Sequence, residues 1–135
     1  MSTQFIDLRM HARVFFGTED PIEGHIAIAE TAGSPFPVTF LSLSEGGLSF
    51  LCDRELALKL HRDQVIAIHT PGTGPMQFLN GVACQARYVL QSEEMPQATV
   101  GCQFRELTGS AHHEIKKIVK SRQQESQEEK SRVPL

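Results

Sequence analysis

Tryptophan is absent from this 135-residue chain, and tyrosine occurs once. A barrel that binds single-stranded nucleic acid stacks bases on exposed aromatics along a basic groove. With so few large aromatics and a formal net charge of −3, this chain lacks the means. The same acidity argues against binding of any nucleic-acid polymer, which needs basic surface to displace counterions. Cysteine is sparse and odd in number, at three. Cys52, Cys84 and Cys102 lie inside alternating apolar runs, so they read as buried small hydrophobes in a reducing compartment. Long apolar tracts are missing too. The uncharged stretch between Thr31 and Glu45 is broken by Pro35 and Pro37, and no membrane insertion is expected. Met1–Phe5 has no charged region leading into an apolar run, so no signal peptide is expected either. These absences predict a cytoplasmic protein.

What is present suffices for one domain. A hydrophobic fraction of 40% can fill one core at this length. After Val14-Phe15-Phe16 and a turn at Gly17-Thr18-Glu19-Asp20-Pro21, short strands are expected at residues 25–29, 38–43, 48–52 and 64–69. The loop Gly33-Ser34-Pro35-Phe36-Pro37 separates the first two, and Ser44-Glu45-Gly46-Gly47 joins the next pair as a hairpin turn. Pro71-Gly72-Thr73-Gly74-Pro75 ends the fourth. In residues 82–90 the alternation places Val82, Cys84, Ala86, Tyr88 and Leu90 on one face, opposite Gln85, Arg87 and Gln91. Ala98, Val100, Cys102 and Phe104 repeat the pattern. Several short strands separated by Gly/Pro turns predict a mainly β fold, an antiparallel barrel or sandwich.

The period then changes. Ala111, Ile115, Ile118 and Val119 fall on one stripe of an α-helix, with Ser110 as the expected N-cap and Lys116, Lys117 and Lys120 toward its C-terminal end. Residues 121–135 have no aromatic and balanced charge. The expected organisation is therefore a flexible N-terminal arm over residues 1–13, a barrel with its helix over 14–120, and a polar tail over 121–135, frayed or disordered.

Catalysis and metal binding find little footing. There is no Gly-x-Ser-x-Gly elbow, no arranged Ser, His and Asp, and the cysteines read as buried, so no enzyme and no catalytic residue is expected. His112-His113 are adjacent and point apart on a helix, and no Cys-x-x-Cys or His-x-x-x-His spacing exists. No metal or other cofactor is expected. The Lys116, Lys117, Lys120 run reads as a solvated helix face.

Two short motifs stand out: Arg9-Met10-His11-Ala12-Arg13, and about thirty residues on, Ser42-Leu43-Ser44-Glu45-Gly46-Gly47 followed by Leu48-Ser49-Phe50. An Arg-x-x-x-Arg near the N-terminus, then (Asp/Asn)-x-Ser-x-x-Gly between two strands, resembles the signature of PilZ domains. Val100-Gly101-Cys102-Gln103-Phe104-Arg105-Glu106-Leu107 and the following helix are similar to that family's closing strand and helix, so the resemblance spans residues 5–120. It implies a six- to seven-stranded antiparallel PilZ-type β-barrel with a C-terminal α-helix. It also implies cyclic di-GMP as ligand, with Arg9, Arg13, Ser42, Ser44 and Gly47 as the binding residues. The arm would wrap the dinucleotide and so create or hide a surface for an effector protein.

The residue chemistry suits that ligand. Arginine can stack on a guanine face, donate in bidentate fashion to O6 and N7, or clamp a phosphate. Ser42 and Ser44, two apart at a strand end, are expected on one face as small hydrogen-bonding groups beneath a base. Gly47 would permit a positive φ or close approach of backbone to ligand. Where the family carries Asp or Asn, this chain has Ser42, whose hydroxyl makes fewer bonds to guanine. The alternative is therefore a degenerate adaptor of the same fold that binds no nucleotide and acts by protein contacts. Leu8, standing before Arg9 where another arginine could help hold a second nucleotide, favours one ligand per site.

Overall fold

The computed structural model describes residues 13–17, 22–28, 35–70, 74, 76–91 and 94–132, with side chains through residue 122. Arg9, the rest of the arm before Arg13, and most of the turns expected at 17–21 and 71–75 lie outside the described residues.

Among the described residues seven strands form one antiparallel sheet: β1 (Val14–Phe15), β2 (Ile22–Ile28), β3 (Phe36–Leu43), β4 (Gly47–Asp53), β5 (Val65–His69), β6 (Ala83–Gln91) and β7 (Gln97–Phe104). The order is β1-β3-β2-β5-β6-β7-β4, and the additional β3–β4 pairing closes β2 to β7 into a six-stranded barrel. β1 is the extra strand. β2 covers Phe36 to Phe40 of β3, and β1 pairs beyond it, Val14 with Leu43 and Phe15 with Ser42. Alternation explains the interior: Ile26, Val38, Phe40, Leu48, Phe50, Ile66, Ile68 and Val100 all point inward and are buried.

Among the described residues two helices pack on the barrel. The first, α1 (Arg54–Lys59), follows β4 directly and buries Leu56 and Ala57, packing on β4, β6 and β7. Its six residues are too few for a helical period to emerge from the sequence. The second, α2 (Gly109–Arg132), buries Ala111, Ile115 and Val119 and half-buries Ile118, the stripe expected. It contacts β1 and a 3₁₀ turn at Gln77–Leu79. Its N-cap differs from expectation. Thr108 Oγ1 accepts the Ala111 N–H at 3.1 Å, so Thr108 caps the helix and Ser110 lies within it.

A second correction concerns β6. A bulge between Ala86 and Tyr88 shifts its register against β7. One extra residue reverses the facing of everything after it. Cys84 and Ala86 stay in the core and Val89 turns toward it, while Tyr88 and Leu90 point outward with 41% and 62% exposure.

Gly47 marks the tightest strand contact. A Cβ there would collide with the carbonyl oxygen of Cys102 on β7, and would press on backbone atoms that cannot swing aside. Its φ is not left-handed. The glycine is required by the approach of β4 to β7, which corrects the expectation of a positive φ.

All three cysteines are buried and free. Burial pushes the Cys52 thiol up to about 11, with Asp53 adding to it, and the Cys84 thiol up to about 12. Cys102 is raised too, by burial first and then by the other two cysteines.

Three outcomes are expected. Ile115→Ala should lower unfolding free energy by about 2–5 kcal/mol in a urea titration, whereas Leu58→Ala at an exposed position should change it by less than about 0.5. Gly47→Ala should prevent closure of β4 on β7 and leave no cooperative transition. The raised thiols set the sign of an alkaline effect. Unfolded thiols ionise from near pH 9.0 while the folded ones stay protonated. Their contribution is thus complete below that pH and falls as pH rises toward 11 to 12. Urea midpoints measured from pH 8 to 11 should fall, and less steeply in Cys84→Ala.

Candidate ligand-binding site

The β3–β4 hairpin is held by its own turn. The Ser44 N–H donates to the Gly47 carbonyl at 2.8 Å, and the Ser44 hydroxyl reaches the same oxygen at 3.3 Å. The Phe104 N–H donates to the Gly46 carbonyl at 3.0 Å, tying the turn to the end of β7. From the turn Glu45 extends to α2: its Oε1 lies 3.0 Å from His112 Nε2 and 3.8 Å from Lys116 Nζ. The residue between the two halves of the strand-end motif is thus in contact with the C-terminal helix.

A second irregularity, between Phe40 and Ser42 on β3, orients Ser42. With Phe40 and Leu43 both in the core, the extra residue sends Ser42 to the outer face, opposite Ser49 of β4. Their hydroxyls lie 2.5 Å apart. Ser42, Ser44 and Ser49 are all buried, Ser42 completely. Each of the two motif serines has a partner of its own. Ser42 bonds across the sheet to Ser49, and Ser44 folds into its own turn. Ser49 belongs to neither motif, although the β4 alternation Leu48-in, Phe50-in and the hairpin register place it outward beside Ser42.

Arg13 arrives from the other motif. Because β1 pairs with the last residues of β3, its preceding residue is delivered to the same spot, and Arg13 Nη1 lies 3.4 Å from Ser42 Oγ. It is a long hydrogen bond, donated by the guanidinium to the Ser42 hydroxyl, and Arg13 is exposed. Residues 29 apart in sequence thus meet at one place. Gly47 closes the group on the β7 side. Of the five sequence-predicted site residues, Arg13, Ser42, Ser44 and Gly47 converge around the start of the hairpin turn; Arg9 lies outside the described residues.

Other features carry less chemistry. A cleft of about 260 Å³ runs over β2, β3 and β4, with Glu23 and Asp53 in its wall, a sign of charge that repels an anion. No group of three or more His, Cys, Asp or Glu among the described residues could hold a metal ion, and no helix among them is long and apolar enough to cross a membrane.

Comparison with known proteins shows the fold. No family model matches the sequence, and no curated protein matches it. Solved structures do. The PilZ domain of YcgR from Escherichia coli, with c-di-GMP, aligns with a TM-score of 0.64 at 15% identity, covering 91% of this chain and 97% of that one. The MrkH–c-di-GMP complex of K. pneumonia gives a TM-score of 0.66 at 13% identity over 88% of this chain. The Bacillus subtilis inhibitor of motility MotI/DgrA gives 0.61 at 12% over 87%. This chain spans 54% and 52% of those two longer chains. The closed six-stranded barrel, the added strand β1 and the C-terminal helix, matched over nine-tenths of the chain, give this chain the fold of the PilZ domains.

Proposed function

We propose that this domain is a receptor for cyclic di-GMP, bound on the outer face of the barrel where β1 meets the β3–β4 hairpin. One observation carries the reading: Arg13 of the first motif stands 3.4 Å from Ser42 of the second. Two structural relatives, YcgR and MrkH, have been solved with the same ligand. Arg13 supplies an exposed guanidinium able to stack on guanine or clamp a phosphate. Arg9 supplies a second from the arm. The Ser42–Ser49 hydroxyl pair, buried on the outer face of the sheet, offers small donors and acceptors once uncovered, and Ser44 and Gly47 shape the turn.

The domain then acts on an effector protein rather than on a substrate. Glu45 is the route for that relay, since it lies within the binding turn and contacts His112 and Lys116 of α2. Ordering of the arm over the ligand, or displacement of the turn, alters what α2 and the arm present to a partner.

A second reading, an adaptor that binds no nucleotide, is favoured by the buried state of Ser42 and Ser44 and by their bonds to Ser49 and Gly47. Calorimetry distinguishes the two. Wild type should bind cyclic di-GMP, one per chain, and not GTP or cyclic di-AMP; silence toward all three establishes the adaptor. Arg13→Ala should weaken binding by about 2–4 kcal/mol, roughly 30- to 1000-fold. Unchanged affinity in that variant contradicts the proposed site, and two ligands per chain contradicts the single-ligand reading.

A further inference from the structure

We infer that Tyr88 is a ligand-stacking residue, the aromatic platform for a guanine of the dinucleotide; the inference rests on the cyclic di-GMP reading. Strand register carries it. On the outer face Ser42 of β3 lies opposite Ser49 of β4, Ser49 opposite Gly101 of β7, and Gly101 opposite Tyr88 of β6. These four residues form one row across four adjacent strands. Arg13 stands at one end, and the aromatic ring at the other.

Tyr88 faces this way only because of the bulge that precedes it; regular alternation would have turned it into the core. Its ring leans along the row toward Ser49. A Cβ at Gly101 would occupy the space of ring atoms Cε2, Cζ and Oη, so the glycine is what lets the ring down onto β7. With strands about 4.8 Å apart, a ring over Gly101 is roughly one strand spacing from Ser49. The ring remains 41% exposed, and its hydroxyl makes no hydrogen bond among the described residues.

An aromatic lying on a cross-strand glycine also stabilises a sheet, so the test must separate a cover from a platform. Tyr88→Leu keeps an apolar cover over Gly101 but removes the π-face, and Tyr88→Phe keeps both. Base–aromatic stacking contributes about 1–3 kcal/mol per base, equivalent to about 5- to 150-fold in affinity. In calorimetric titrations of the full chain with cyclic di-GMP, Tyr88→Phe should match wild type, while Tyr88→Leu should bind about 5- to 150-fold more weakly. Thermal melts should show all three folded. The chain has one tyrosine and no tryptophan, so the fluorescence lifetime of wild-type protein reports Tyr88 alone and should shorten at saturation. Wild-type affinity in Tyr88→Leu with an unchanged lifetime overturns the inference and leaves the receptor reading standing. No binding by wild type overturns both.

Discussion

The barrel depends on the contact between β4 and β7. They pair along the whole of β4, from Gly47 with Gln103 to Asp53 with Gln97, and at Gly47 the two backbones leave no room for a side chain. Without that pairing the sheet would have two open edges and no enclosed core. It also brings β7 and β6 into line with the β3–β4 hairpin. The outer row from Ser42 to Tyr88 exists only because the sheet is continuous there. The same closure seats Phe104 against Gly46, which leads the chain toward α2.

Charge is organised locally within an acidic chain. Arg13 is exposed at the hairpin, while Glu45, the nearest acid of the motif turn, is engaged by His112 and Lys116. That pairing draws the carboxylate toward the helix and offsets its charge beside a proposed anion site. It is only partly buried, with Glu45 at 26% exposure and Lys116 at 60%, so its net contribution to stability is small. A weak clamp between turn and helix is what a relay requires, because little free energy is needed to release it.

Much of the fold was legible because half-buried strands advertise themselves by alternation. The inward set on β3, β4, β5 and β7 follows directly from residue type, and the stripe Ala111, Ile115, Val119 announces α2. What failed did so where a single residue breaks the rule. The bulge at Ala86/Tyr88 has no signature in Ala86-Arg87-Tyr88, yet it inverts the facing of Tyr88 and Leu90. The irregularity at Phe40/Ser42 likewise decides that Ser42 faces outward and meets Ser49. α1 is too short to show a period. Thr108 and Ser110 are both competent caps, and geometry alone chooses Thr108. For the site, the two motifs showed which residues to watch, but their meeting is a product of β1 pairing beyond the end of β2, which no local pattern encodes.

The central claim, that the outer row around Arg13 and Ser42 receives cyclic di-GMP, is tested most directly by amide hydrogen exchange of the full chain with and without that ligand. Slowed exchange in residues 9–16, 42–49 and 99–103, with residues 22–28 and 65–69 unchanged, is the result this structure leads us to expect. Protection confined to the acidic cleft near Glu23 and Asp53, or no change at saturating ligand, would contradict it.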